Sequence, residues 1–430
     1  MNSHMRKAEA RVAIAGAQLV SSLVRSLGIG EGAALPGRIL IRLYPEVISG
    51  LSKSLPAVLI SGTNAKTTTT ALTREALSGS FNVTSNITGA NMDTGIAFSL
   101  VARKVTAVGK DLAVFEVDEA YLPDIGSKLE TKIVALLNLS RDQLDRVSET
   151  RMTASKWSSF LKLNPHITVV ANCDDPLVVF AAQSASEVLW VSAGLNFFLD
   201  AYSCPVCGGE IDFSDSGWRC RCGFSRPSPD IEVSRNTVSV FGRPIEMDLS
   251  LPGQCNVANS AIALGICQVL DVDLDSAARR MSTISEVAGR YKRVSIDGHE
   301  VRMLLSKNPA GWVEVFDMVG DDSSVVVAIN AQLADGKDPS WLWDVPFEFL
   351  KGKEVFACGE RAYDLSVRLH YAEVSHVVEK DSLAAIRACG TRDVSFVGNY
   401  TSFQELRNRL NGNDGSLVGL IRSLGNRVFG

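Results

Sequence analysis

Ser61-Gly62-Thr63-Asn64-Ala65-Lys66-Thr67-Thr68 follows an apolar run, Ala57–Ile60, and precedes a helical stretch, Thr69–Leu77. A strand, a turn carrying glycine and a helix start, in that order, make a phosphate cradle in which loop N–H groups and the helix N-terminus face the anion. Lys66 is then placed to reach the terminal phosphates and Thr67 to ligate Mg²⁺. Gly62, Thr63, Asn64, Ala65, Lys66, Thr67 and Thr68 are therefore the candidate nucleotide-binding residues. Ala65 stands where a strict P-loop has Gly, and Ile60 where the pattern begins with Gly. The extra methyl at Ala65 is expected to narrow the phosphate approach and weaken ATP binding. An ordinary strand-to-helix turn is the bland alternative, but Lys-Thr-Thr at such a junction has few structural uses.

Outward from the loop, short β-rich runs alternate with helical stretches, the pattern of βαβ units. The expected strands are Ala57–Ile60, Leu112–Val117, Ile133–Leu139, Ile167–Ala171 and Val188–Val191. Such crossovers predict a largely parallel sheet with ligands at the strands' carboxyl ends. Glu116, Asp118 and Glu119 end the second of these runs, where carboxylates can hold Mg²⁺ against nucleotide phosphates. With the phosphate loop nearby, Glu116 is the favoured ligand; alone, acidic strand ends are usually solvated turn formers. Asn138 to Arg146 puts further polar groups on the same edge, or caps a helix through Ser140 or Asp142.

Near Tyr202 the texture changes to Cys, Gly, Pro and Ser, returning to β-like alternation after Asp230. Cys204-Pro-Val-Cys207-Gly and Cys220-Arg-Cys222-Gly are two turns that can complete a tetrahedral Zn²⁺ shell, with Gly208 and Gly223 permitting tight knuckles. The second pair is spaced by one residue instead of two. Four thiolates leave no open coordination position, so this metal is expected to be structural.

Helical periodicity resumes over Asn256–Leu270, and a domain boundary is expected near Val294. Beyond it Val301–Leu305, Ser324–Ile329, Glu354–Ala357 and Val394–Val397 alternate with helices as a second, smaller α/β domain. At 430 residues, 46% apolar and 21% charged, the chain can build such cores, and its formal net charge of −5 argues against a primary nucleic-acid binder. No apolar run reaches the roughly 18 residues that span a bilayer, and a cytoplasmic location is expected. Arg11–Leu27 reads as an amphipathic helix that packs on the core, with membrane-surface contact as the alternative.

Together these residues resemble the Mur ligase family, and within it the MurT branch, whose members work with a separate GatD-type glutamine amidotransferase. The likeness runs from about Leu35 to Tyr400. Besides the phosphate loop, its marks are Gly89-Ala-Asn-Met92, Arg141-Asp-Gln-Leu-Asp-Arg146, Asn172-Cys-Asp-Asp-Pro176, the cysteine insert, Lys307-Asn-Pro-Ala-Gly311 and Ala334-Asp-Gly-Lys-Asp-Pro-Ser-Trp341. The resemblance implies an α/β fold in four parts. These are an N-terminal helical segment over 1–52 packing on the next domain, a central P-loop domain over 53–293 with a parallel-rich sheet, a Cys₄ zinc ribbon inserted at 202–230, and a smaller Rossmann-like C-terminal domain over 294–430.

It also implies a reaction: ATP phosphorylates the D-glutamate α-carboxylate of lipid II, and ammonia from the GatD-type glutaminase displaces phosphate to give D-isoglutamine. By motif, Lys66 and Thr67 hold phosphate and Mg²⁺, Glu116 holds Mg²⁺, Asn256 and Asn259 match the adenine-side helix, and Arg290 matches an arginine near the hinge. Asn308 and Asp338 belong to the C-terminal domain. Asp338 would serve as the third member of the glutaminase's Cys–His triad, with Asp335 as a possible substitute. Lys156 stands close to the spacing of a lysine that many Mur ligases carbamylate, although a solvated helix lysine is the plainer reading. The five histidines are scattered and no complete glutaminase is visible. The implied setting is the inner membrane face. Three other readings stay open: a conventional Mur ligase adding an amino acid, a folylpolyglutamate-type ligase, and a non-catalytic nucleotide-binding scaffold.

Overall fold

A computed structural model of the chain describes residues 34–86, 90–103, 109–141, 150–195, 201–214, 217–287 and 289–411. The expected helix at Arg11–Leu27, Gly89, and most of the Arg141–Arg146 motif lie outside them. The described residues fall into two compact units, the first ending at Val287.

The first unit is built on nine strands: β1 (Pro56–Ser61), β2 (Phe81–Thr84), β3 (Lys110–Val117), β4 (Glu130–Leu136), β5 (Thr168–Asn172), β6 (Glu187–Ser192), β9 (Ile231–Ser234), β10 (Thr237–Val240) and β11 (Arg243–Glu246). The intervening β7 (Ile211–Ser214) and β8 (Gly217–Cys220) form a separate hairpin. Their order in the large sheet is β11-β10-β9-β6-β5-β4-β1-β3-β2. Every pair from β2 to β9 is parallel, and β9–β11 close the edge as an antiparallel meander. The central strand β1 and the second half of β4, residues 133–136, are apolar and buried, as a sheet covered on both faces requires. The chain leaves β1 toward β2 on one side and its neighbour β4 toward β5 on the other, the strand-order reversal at which a crevice opens at the carboxyl ends of these two strands.

Helices α1 (Ala34–Leu43), α2 (Val47–Leu51), α3 (Lys66–Leu77), α4 (Asp93–Ala102), α5 (Leu122–Lys128), α6 (Thr150–Leu163), α7 (Pro176–Ala182), α8 (Gln254–Val269) and α9 (Leu274–Met281) cover this sheet. α3 opens with four consecutive threonines, poor helix formers, and is held by packing against α8 and α9 rather than by propensity. The described part of the expected 1–52 segment joins the same core through Leu40, Val47 and Ile48.

The second unit has β12 (Tyr291–Ile296), β13 (His299–Leu305), β14 (Ser324–Ala328), β15 (Glu354–Cys358), β16 (His376–Val378) and β17 (Asp393–Gly398), ordered β12-β13-β17-β14-β15-β16. Only β12 runs antiparallel. It spans Val294, so the expected boundary falls inside a strand, whereas the units part just after Val287. Helices α10 (Pro309–Val319), α11 (Ala362–Tyr371), α12 (Ser382–Ala388) and α13 (Tyr400–Leu410) complete it.

Candidate functional site

The loop after β1 is braced from β4. Thr63 N–H donates to Asn138 O at 3.0 Å, Asn64 N–H donates to Asn138 Oδ1 at 2.8 Å, and Thr63 Oγ1 donates to Ser140 O at 3.0 Å while accepting the Ser140 N–H. Asn138 and Ser140 are thus buttresses of the loop. Gly62 is required by this brace: a Cβ there would lie 2.8 Å from Leu137 Cβ and 3.0 Å from Asn138 N. Ala65 is the N-cap of α3 in the left-handed region, φ 65° and ψ −2°, a conformation that disfavours any residue with a Cβ by about 1–2 kcal/mol. The chain therefore keeps the P-loop backbone without the glycine that suits it.

Lys66 begins α3 and is buried, its ammonium curled back over the loop. It donates to Gly62 O, to Thr63 O at 3.1 Å and to Glu119 Oε2 at 2.8 Å. An ammonium has three donors, so all are engaged. Two acceptors are loop carbonyls; the third is a carboxylate that an incoming phosphate can replace without unfolding the turn. Glu119 is held in turn by α6, where Trp157 Nε1 donates to its carbonyl at 2.9 Å.

Glu116 is the register partner of Ile60, and Val117 of Ser61, which sets the carboxylate of β3 beside the root of the loop. Its residue is buried, and its backbone is fixed by Asn86, which accepts the Glu116 N–H at 3.0 Å and donates to its carbonyl at 2.8 Å. Lys66 and Glu119 thus pair at the carboxyl ends of β1 and β3, with Thr67 in the first turn of α3 and Glu116 near the end of β3. A phosphate cradle, a cation, a hydroxyl and a carboxylate on the adjacent strand form a donor set suited to a nucleotide and Mg²⁺. Sequence reasoning missed the Lys66–Glu119 pairing and the part of Asn86.

Asn256 and Asn259 lie in the first turns of α8, which packs against α3. Asn256 Nδ2 donates to Pro252 O at 2.6 Å, and Asn259 Nδ2 donates to Asn256 Oδ1 at 3.4 Å. Lys156 is exposed on α6 and lines a cleft against α5 with Asp124 and Arg151.

The remaining expected residues sit in the second unit. Arg290 is half-buried, within electrostatic reach of Glu314 on α10, whose carboxyl burial pushes up to about 7. Asn308 caps α10, its Oδ1 accepting the Gly311 N–H at 2.9 Å, with Pro309 at the first helical position. Asp338 is exposed, its Oδ1 accepting the Ser340 N–H at 2.9 Å. Asp335 is buried and committed to the Thr401 backbone and hydroxyl, so of the two acids only Asp338 is presented to solvent.

The insert brings Cys204, Cys207, Cys220 and Cys222 together, with their sulfurs all within 4.8 Å of one another. Cys204 and Cys222 are 3.8 Å apart and Cys207 and Cys220 3.5 Å, close to the roughly 3.8 Å edge of a tetrahedron with 2.3 Å metal–sulfur bonds. Gly208 at φ 76° and Gly223 at φ 94° make the two knuckles. The Gly209 N–H donates to Cys207 Sγ, and with the neighbouring thiols lowers the Cys207 pKa, while Cys220, which shares a hydrogen bond with it, is pushed up. Trp218 anchors the module to the sheet by donating to Cys173 O at 3.0 Å, and Arg226 reaches Asp174 at 2.5 Å. Asn172–Pro176 therefore works as a tether, with Asp174 holding the insert and Asp175 capping α7.

The Mur ligase middle domain family matches residues 60–267, and the MurT ligase C-terminal family matches 305–403. The MurT subunit of lipid II isoglutaminyl synthase (glutamine-hydrolyzing) from Streptococcus pneumoniae is 29% identical over 369 residues, 79% of this chain and 82% of that one. Its namesake from Staphylococcus aureus is 28% identical over 429 residues, 92% and 96% of the two chains. Among solved structures, a pseudomurein peptide ligase type C from Methanothermus fervidus superposes with a TM-score of 0.65 at 18% identity, covering 83% of this chain and 79% of that one. MurF from Thermotoga maritima in complex with ADP gives 0.57 at 14% identity, covering 86% and 81%. These likenesses in structure establish the fold.

Proposed function

Because this chain belongs to the Mur ligase family, we propose that it is the ligase subunit of a lipid II isoglutaminyl synthase, converting the D-glutamate α-carboxylate of lipid II to an amide. The γ-phosphoryl group of ATP passes to the carboxylate oxygen as its bond to the β–γ bridging oxygen breaks, giving an acyl phosphate and ADP. Ammonia attacks the carbonyl carbon and forms the C–N bond, the C–O bond to phosphate then breaks, and the proton lost by nitrogen leaves on inorganic phosphate. Mg²⁺ supplies charge neutralisation on the phosphates. The loop N–H groups orient the phosphate chain, Lys66 holds its terminal charge, and Thr67 and Glu116 provide metal ligands. Asn256 and Asn259 face the adenine side.

The observation that carries this reading is Lys66, whose ammonium lies in the cradle with one of its three positions filled by a displaceable carboxylate, Glu119. The cysteine insert, in this reading, is a structural zinc ribbon, and the second unit is a Rossmann-like domain. Ammonia comes from a GatD-type glutaminase, for whose Cys–His pair Asp338 supplies the orienting carboxylate.

The test is amidation of a lipid II acceptor by the purified chain. With ATP, Mg²⁺ and ammonium, phosphate release should match amide formation. Glutamine should replace ammonium only when the glutaminase is added. Amide formation without ATP consumption, or incorporation of an amino acid in place of ammonia, would refute the proposal.

A further inference from the structure

α6 turns Thr153, Ala154, Trp157, Phe160 and Leu161 to the core. Its outer stripe is Met152, Lys156, Ser159 and Leu163, with Arg151 and Lys162 beside it. From Thr150 to Cys173 there is no Asp or Glu, although the whole chain carries −5. Two large apolar residues on this basic helix are unusually bare: Met152 is 54% exposed and Leu163 is 81% exposed. Arg151 Nη2 donates to Pro205 O at 2.9 Å, which draws the first cysteine knuckle against the N-terminal end of the helix, and the next residue, Val206, is 54% exposed. A cleft of about 690 Å³ runs between α6 and α5. The acid lining it, Asp124, pairs with Lys128 at 2.5 Å across the exposed face of α5.

We propose that α6 and the Cys204–Cys207 knuckle form a docking face for an anionic phospholipid bilayer. The reading rests on the proposed lipid-linked acceptor, which would bring the enzyme to such a surface. Arg151, Lys156 and Lys162 meet headgroups, and Met152, Leu163 and Val206 enter the interface beneath them. This combination of basic and aliphatic residues is what binds at a charged membrane surface. A protein partner would favour exposed aromatic residues and few lysines, whereas α6 exposes lysines and keeps Trp157 and Phe160 inside. Nucleic acid would leave the apolar side chains without a role.

The experiment is co-sedimentation of the full chain with vesicles of phosphatidylglycerol and phosphatidylcholine, and with phosphatidylcholine alone, without ATP or lipid II. The wild-type protein should partition onto the anionic vesicles only, and less so at raised salt. Lys162→Glu changes two charge units and should lower partitioning on the order of thirtyfold. Leu163→Asp should lower it further, and both variants should keep nucleotide binding, since each side chain points to solvent. Wild-type partitioning by both variants, or equal binding to neutral vesicles, would overturn the proposal. Loss of a protein complex in the variants, with no vesicle binding by the wild type, would also overturn it and assign the face to a protein. Amidation of a water-soluble acceptor tests the proposed reaction separately, so the two can fail independently.

Discussion

Replacing Ala65 by glycine tests how the nucleotide loop is held. Ala65 has φ 65° at the N-cap of α3, and removing its Cβ relieves about 1–2 kcal/mol of left-handed strain. Against this, glycine loosens the unfolded chain by about 0.4–1 kcal/mol. The net expectation for Ala65→Gly is a gain of roughly 0.5–1 kcal/mol, or roughly 1–4 °C in melting temperature for a unit of this size. ATP affinity should be preserved or rise, because a methyl leaves the phosphate approach. Ala65→Val is the control: a β-branched side chain in the same conformation should lower stability by more than the glycine raises it. Thermal unfolding of the ligand-free protein and a nucleotide titration measure both quantities. A lower melting temperature for Ala65→Gly, or a tenfold loss of ATP affinity, would show that the loop does not hold a left-handed residue there.

Glu119→Gln removes the carboxylate that occupies Lys66, and metal-free nucleotide should bind about fivefold more tightly in a direct titration; unchanged or weaker binding would show that Glu119 does not compete with phosphate. Metal analysis should find one zinc per chain, and Cys207→Ser should lose it and destabilise the insert while amidation per folded molecule stays within about twofold. Asp338→Asn should leave assembly and ammonia-driven amidation intact and depress glutamine hydrolysis about a hundredfold or more; unaltered glutaminase activity in the assembled complex would remove Asp338 from the triad. Glu314 has a folded pKa of about 7 against an ordinary 4.5, so it binds its proton more tightly when folded. Its stabilising effect is full below pH 4.5 and is lost as pH rises through 7. Glu314→Gln should therefore flatten that part of the stability curve in chemical unfolding, by at most about 3 kcal/mol.

The strands that hold the loop were legible because they are buried on both faces: the apolar run Ala57–Ile60 lies in β1, and Leu112–Val117 is the apolar part of β3. β2, Phe81–Thr84, was not, since its four residues are half-buried and carry no clear period. β12 escaped notice because Lys292 and Arg293 interrupt its apolar pattern, and the boundary was consequently set inside it. The cysteine cluster could be read from spacing alone. The Lys66–Glu119 pair could not: it depends on the turn after β3 folding back over the loop, and on Trp157 of α6 fixing the Glu119 carbonyl. Asp335 and Asp338 look equivalent in sequence, and only burial against Thr401 separates them.

Parallel neighbours such as β6 and β9, paired at Val191–Ile231 and Ser192–Glu232, need a crossover that is usually a helix. Here the cysteine insert is that crossover. A helix would be completed by its own backbone, whereas this connection gathers four cysteine sulfurs within 4.8 Å of one another; with the zinc proposed above, it is completed by an ion from outside the chain. On that reading, closing the insert and pairing β9 with β6 are one folding event, and a chain whose insert is not yet closed leaves the edge of β6 open.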